Sequence, residues 1–138
     1  NSELFHQSVS NHPDVRIIEQ IGHGLVQLIE NGDIDSPEML ELLKSYIILM
    51  VEKNIDYLVL GCSHYPYLIP QIKKIIPASI KIIDSGEAVA KQTQKVLEQH
   101  QLLNISNEKS VQLFYTNSEP HVLENILNNQ EKVVYKQF

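Results

Sequence analysis

The sequence predicts an α/β protein, a parallel sheet flanked by helices, and three observations carry that prediction. Short apolar runs rich in β-branched residues alternate with longer stretches of helical periodicity. The run Tyr57-Leu58-Val59-Leu60 is wholly apolar and ends at Gly61, the habit of a central strand in a parallel sheet with both faces covered. Helix-start and helix-stop residues stand between the runs where the alternation needs them.

In chain order, residues 2–11 form a helix, with Ser2 as N-cap and Leu4, Phe5 and Val9 apolar, ended before Pro13. Residues 15–21 carry several β-branched residues and read as a strand. Residues 25–30 make a short helix stopped by Asn31-Gly32. Ser36 caps the next helix, with Pro37 at its first position and Glu38 in its first turn; Met39, Leu40, Leu43, Ile47, Met50 and Val51 recur at helical spacing. After the strand at 57–60 comes a loop through Pro66, then a helix near residues 68–76 that Pro77 terminates. Residues 80–83 are a strand, and Asp84-Ser85-Gly86-Glu87 introduces a long helix to about His100. Residues 111–115 are a strand, Ser118 caps a helix over 122–127, and residues 133–135 are the last strand. The order is α β α α β α β α β α β. The polar stretch 104–110 and the turn at 84–86 are the two places where a boundary could fall.

At 138 residues, 43% hydrophobic and 20% charged, the chain has the size and composition of one folded α/β domain. Eleven basic and 17 acidic side chains leave a net charge of −6, which argues against a nucleic-acid partner. A single cysteine excludes an internal disulfide and a multi-cysteine zinc site, and suits a reducing cytoplasm. No apolar run approaches the roughly 20 residues that span a bilayer, so no membrane partner is expected. The chain opens Asn1-Ser2-Glu3 without a methionine, which reads as a processed or truncated piece.

The chemistry concentrates in residues 58–66. In open parallel sheets ligands bind beyond the carboxyl ends of the strands, and Cys62 stands just past such an end. Gly61 is read as allowing a tight turn there. The amides of Ser63 and His64 are placed to meet a carboxylate, as in backbone anion nests. His64, two residues from the thiol, can tune it, since a thiol acts as a base only in so far as it is thiolate. Against this, a lone cysteine behind a buried strand is often an inert small hydrophobe, and a lone histidine is often structural. The cluster of Gly, Cys, Ser, His and Pro at one strand end is what favours a site. A metal site joining His23, Cys62 and His64 is a weak alternative, because the spacing lacks a second cysteine.

Leu60-Gly61-Cys62-Ser63-His64-Tyr65-Pro66 resembles the signature around the second active-site cysteine of glutamate racemases, usually written LGCTHYP. The likeness extends to Leu28-Ile29-Glu30-Asn31-Gly32, to Ile83-Asp84-Ser85-Gly86-Glu87-Ala88-Val89-Ala90, and to Phe114-Tyr115-Thr116-Asn117-Ser118. Ser63 stands where the family usually has threonine, and Ile21-Gly22-His23 where it often has alanine, cysteine and proline. The resemblance implies that Cys62 moves the α-proton on one face of glutamate, that His64 assists it, and that Glu30 orients or charges the imidazole. Ser63 and His64 would hold the substrate's α-carboxylate or amino group. It implies racemisation without pyridoxal phosphate or metal, in a cytoplasmic protein supplying D-glutamate for peptidoglycan, the cell wall and cell shape. The second thiol and the Asp-Ser motif of the family's N-terminal part are not found, so the chain is expected to be the C-terminal half. Residues 1–84 would form most of the second lobe, and residues 85–138 would return to complete the first. The piece alone is expected to be inactive, and its unpaired edges leave a homodimer open. Two alternatives stand beside this: an aspartate or hydantoin racemase of the same superfamily, and a non-catalytic α/β module that binds small anions.

Overall fold

A computed structural model describes residues 3–106, 111–127 and 129–138. Ser2, read as a helix cap, lies outside the described residues, as do the side chains of Leu4 and Phe5 and the part of the polar stretch at 107–110. The elements are α1 (Glu3–Asn11), α2 (Leu25–Glu30), α3 (Pro37–Val51), β1 (Tyr57–Val59), a 3₁₀ turn (Tyr65–Leu68), α4 (Ile69–Ile72), β2 (Lys81–Ile83), α5 (Gly86–Gln99), β3 (Phe114–Thr116), α6 (Pro120–Ile126) and β4 (Val133–Tyr135).

The core is built on α3. Met39, Leu43 and Ile47 repeat every four residues, so they line one stripe of the helix, and all three are buried. Ser36 starts this helix as read from sequence: its Oγ accepts from the Met39 N–H at 3.0 Å, and Pro37 occupies the first turn where its missing N–H costs nothing. Against the stripe pack Leu25, Leu28 and Ile29 of α2, Leu58 and Leu60 from β1 and its end, and Leu68, Ile72 and Ile80. Gln71, buried in α4, donates from Nε2 to Asp35 and ties α4 to the loop before α3.

α2 ends in a Schellman turn. Gly32 N–H donates to Ile29 O at 3.0 Å, Asp33 N–H donates to Leu28 O at 2.8 Å, and Gly32 has φ of 83°. A side chain at that φ is disfavoured, which is why the helix stops one residue after Glu30 rather than drifting on.

Four of the expected elements differ. Residues 15–21 are extended but form no ladder, and Val15, Ile17 and Ile21 are exposed. A strand is defined by its partner, and a cavity of about 1000 Å³, lined by this segment, α3 and β1, separates the segment from β1. β1 is buried on one face only, with Leu58 inside and Tyr57 and Val59 outside, because no element covers the second face among the described residues. The helix expected at 68–76 divides into the 3₁₀ turn and the single α-turn of α4, each with a proline near its start. Ser118 does not cap α6. Pro120 is its first residue and pushes Glu119 into extended backbone, so Glu119 takes the cap position.

The strands form two separate parallel pairs rather than one sheet. β1 pairs with β2 (Tyr57 with Lys81, Leu58 with Ile82, Val59 with Ile83), and β3 with β4 (Phe114 with Val133, Tyr115 with Val134, Thr116 with Tyr135). α6 packs on the second pair and also reaches α2. Asp84 opens α5 as expected, its Oδ1 accepting from the Gly86 N–H at 2.8 Å, yet α5 buries no residue.

The Schellman turn yields a direct expectation. Gly32→Val should lower unfolding free energy by about 1–2 kcal/mol, read as a reduced urea midpoint at unchanged slope.

Candidate functional site

β1 runs out of the core through Leu58 and Leu60, and the chain turns immediately beyond. Cys62 O accepts from the Tyr65 N–H at 3.2 Å, which starts the 3₁₀ turn and folds residues 62–65 back over the strand end. The turn does not use the freedom of Gly61. Gly61 lies outside the left-handed region, and a Cβ built on it would meet nothing within 4 Å. The bend comes instead from the Cys62–Tyr65 hydrogen bond, with Pro66 next in line.

This turn brings together three of the side chains picked from sequence. Cys62 Sγ lies 3.8 Å from His64 Nδ1, and His64 Nε2 lies 3.2 Å from Glu30 Oε1. Glu30 is the last residue of α2, which packs against the 3₁₀ turn, so the carboxylate reaches the imidazole from a neighbouring helix. The thiol and the imidazole are partly buried, and the Glu30 side chain is half exposed. Chemically this is an ordered line of thiol, imidazole and carboxylate. With Nε2–H donated to Glu30, Nδ1 presents its lone pair to the thiol and can take its proton, leaving thiolate beside imidazolium. An exposed carboxylate–histidine pair contributes little to stability; its effect is to select the tautomer and aim the ring.

Ser63, next in sequence to Cys62, is exposed. His23 is not part of it. Its carbonyl accepts from Tyr46 OH at 3.0 Å, and its side chain is exposed. Among the described residues no group of three His, Cys, Asp or Glu side chains could hold a metal ion. The large cavity is not the site either: it touches Tyr65 and Gly22 but not Cys62, His64 or Glu30.

One participant escaped the sequence reading. Tyr65 OH donates to Gly22 O at 3.3 Å, clamping the approach to α2 onto the turn, and a Cβ at Gly22 would collide with that hydroxyl. Burial, and next the negative charge that Cys62 can carry, push its phenol pKa above the ordinary 10.0, while the bond to Gly22 and the nearby Tyr46 make smaller contributions. Its place three residues after the thiol, where a 3₁₀ turn returns to face its start, was the available signal.

The chain is 41% identical over 114 residues to glutamate racemase of Pseudomonas entomophila, a match spanning 83% of this chain and 43% of that protein. In structure it superposes on glutamate racemase of Francisella tularensis, solved in complex with D-glutamate, with a TM-score of 0.76 and 25% identity, covering 96% of this chain and 52% of that one. A glutamate racemase isoform from Bacillus anthracis shares the fold at a TM-score of 0.78 and 23% identity, again over 52% of its length. No family model matches the chain. The chain thus spans about half the length of the proteins it matches.

Two measurements test this geometry. Because Cys62 is the sole thiol, its alkylation rate reports on the line directly. Glu30→Gln should slow alkylation by roughly two- to fivefold near neutral pH, the worth of an exposed ion pair of about 0.5–1 kcal/mol. Tyr65, with its pKa raised on folding, contributes stability that is fully present below the unfolded value near pH 10 and lost as pH climbs through the folded value. Tyr65→Phe should therefore remove a raised phenol titration from an ultraviolet titration and flatten the alkaline fall in stability.

Proposed function

The chain is a homologue of the C-terminal half of glutamate racemases, and from that premise we propose that it carries one side of a two-thiol active site that interconverts L- and D-glutamate. The observation that carries this reading is the line Cys62–His64–Glu30 at the carboxyl end of a parallel strand. Strand ends of that kind are where open α/β folds bind small ligands.

The α-hydrogen of an amino acid is weakly acidic, so removing it takes a thiolate, aligned geometry and donors for the charge that develops. Here His64 Nδ1 takes the Cys62 proton and Glu30 stabilises the imidazolium. The Cys62 thiolate takes the α-proton of bound glutamate, and the electron pair left on the α-carbon delocalises into the α-carboxylate. A second thiol, on the opposite face, donates a proton to complete inversion; in the reverse direction the two thiols exchange roles. The Ser63 hydroxyl and the amides of Ser63 and His64 hold the α-carboxylate. The second thiol comes from the half of the relatives that lies outside the match, so this chain alone is inactive. Residues 1–84 belong to the lobe carrying Cys62, and residues 85–138 return to the other. The reaction uses no pyridoxal phosphate and no metal, and its D-glutamate supplies peptidoglycan synthesis in the cytoplasm. That the F. tularensis relative was solved with D-glutamate supports the choice of substrate.

α-Deuterium exchange tests substrate and site together. With the complementing half present, L- and D-glutamate should exchange in D₂O and aspartate should not. Cys62→Ser should reduce exchange from one enantiomer by about 10²–10⁴-fold, the contribution of a positioned acid–base group. Exchange undiminished in Cys62→Ser, or confined to aspartate, refutes the assignment.

A further inference from the structure

α2 is six residues long, too short to hold its shape alone, so its place is set by what it docks on. Leu25, Leu28 and Ile29 bury one face in the core, but apolar packing is non-directional and resists sliding along the helix axis only weakly. Position along the axis is therefore fixed at the ends. Gly24, at the N-cap, has no side chain with which to cap the entry, and two phenols act there instead. Tyr65 OH donates to Gly22 O at 3.3 Å, and Tyr46 OH, from α3, donates to His23 O at 3.0 Å. Gly22 O also accepts from the Leu25 N–H at 3.4 Å, so the Tyr65 bond reinforces the first turn of the helix. Both glycines are required by close approach. A Cβ at Gly22 would lie 2.7 Å from the Tyr65 hydroxyl oxygen, and one at Gly24 would lie 3.2 Å from the Leu42 side chain of α3. The entry to α2 is thus gripped between α3 and the 3₁₀ turn.

At the other end of α2, Glu30 Oε1 meets His64 Nε2 at 3.2 Å. His64 and Tyr65 are neighbours in sequence, so adjacent residues of the turn hold α2 from before its start to its last residue, a length of about 9 Å at the helical rise. A slide of α2 by one residue's rise, about 1.5 Å, takes Glu30 out of hydrogen-bond reach of the imidazole. Resting on the functional reading above, we propose that Tyr46 and Tyr65 are positioning residues for the thiol. By holding the His23 and Gly22 carbonyls they fix α2 along its axis, keep Glu30 on His64 Nε2, and so set how readily Cys62 gives up its proton. The reacting line thereby gains two residues that touch neither the substrate nor the sulfur's proton. A purely structural role for the phenols would change the melting of the chain and leave the thiol's reactivity as it is.

The test is alkylation of Cys62 by iodoacetamide across pH, on the full chain, with far-ultraviolet circular dichroism to show that each variant is folded. Tyr46→Phe and Tyr65→Phe keep the rings and remove only the hydroxyls. Each should slow alkylation near neutral pH by about two- to threefold, no more than Glu30→Gln does, and move the profile to higher pH. Added to Glu30→Gln, either should slow it no further, because its route to the thiol runs through that carboxylate. A profile unchanged by both substitutions, slowing that adds in full to that of Glu30→Gln, or faster alkylation in both from an opened fold each overturns the proposal. If Tyr65→Phe does not fold, Tyr46→Phe, which leaves the turn's own residues intact, decides by the same criteria. A chain that shows this coupling and yet exchanges no α-proton of glutamate with its complementing half leaves the positioning pair standing and removes the assigned reaction.

Discussion

Leu58 and Leu60 hold the end of β1 against the Met39–Leu43–Ile47 stripe of α3, and everything chemical in this chain depends on that anchoring. Burying a Leu side chain is worth roughly 1.5–3 kcal/mol, enough to fix the strand end where hydrogen bonds alone would leave it frayed. Cys62 follows two residues after Leu60, so the position of its sulfur is set by packing inside the core and not by the loop that carries it. The 3₁₀ turn then needs only the Cys62–Tyr65 hydrogen bond to bring His64 back over the thiol.

Glu30 reaches the same place from a different direction, and its position has its own cause. α2 is anchored by Leu25, Leu28 and Ile29, and Gly32 halts it with Glu30 as its last residue. The helix packs on the 3₁₀ turn, and Tyr65 reinforces the contact by bonding to Gly22 just before the helix begins. Two helix-end devices, a left-handed glycine and a tyrosine clamp, thus orient one imidazole. The arrangement adds little stability and considerable direction to the imidazole.

The two strand pairs and the segment at 15–21 share one feature, incomplete cover. The thiol is partly buried beside His64, and both parallel strand pairs have one side more buried than the other. Residues 15–21 stand beside β1 with a cavity between them, in extended backbone that has the composition of a strand and lacks its hydrogen bonds.

Much was legible in the residues alone. Helix α3 follows from periodicity and its Ser36 cap, and α2 and α5 from the stop at Asn31-Gly32 and the turn at Asp84–Glu87, because such start and stop signals are local chemistry between residues a few positions apart. The strand ending at Cys62, and the pairing of that thiol with His64 two positions on, are likewise local. Glu30 was reachable only through resemblance, since its contact with His64 joins residues 34 positions apart and has no local signature. What only the tertiary structure decided was the fate of strand-like segments. Residues 15–21 and the outer face of β1 have the composition of buried strands, but a strand is made by its neighbour: β-branched side chains predict a pleated surface, and whether that surface is paired and covered depends on what packs against it.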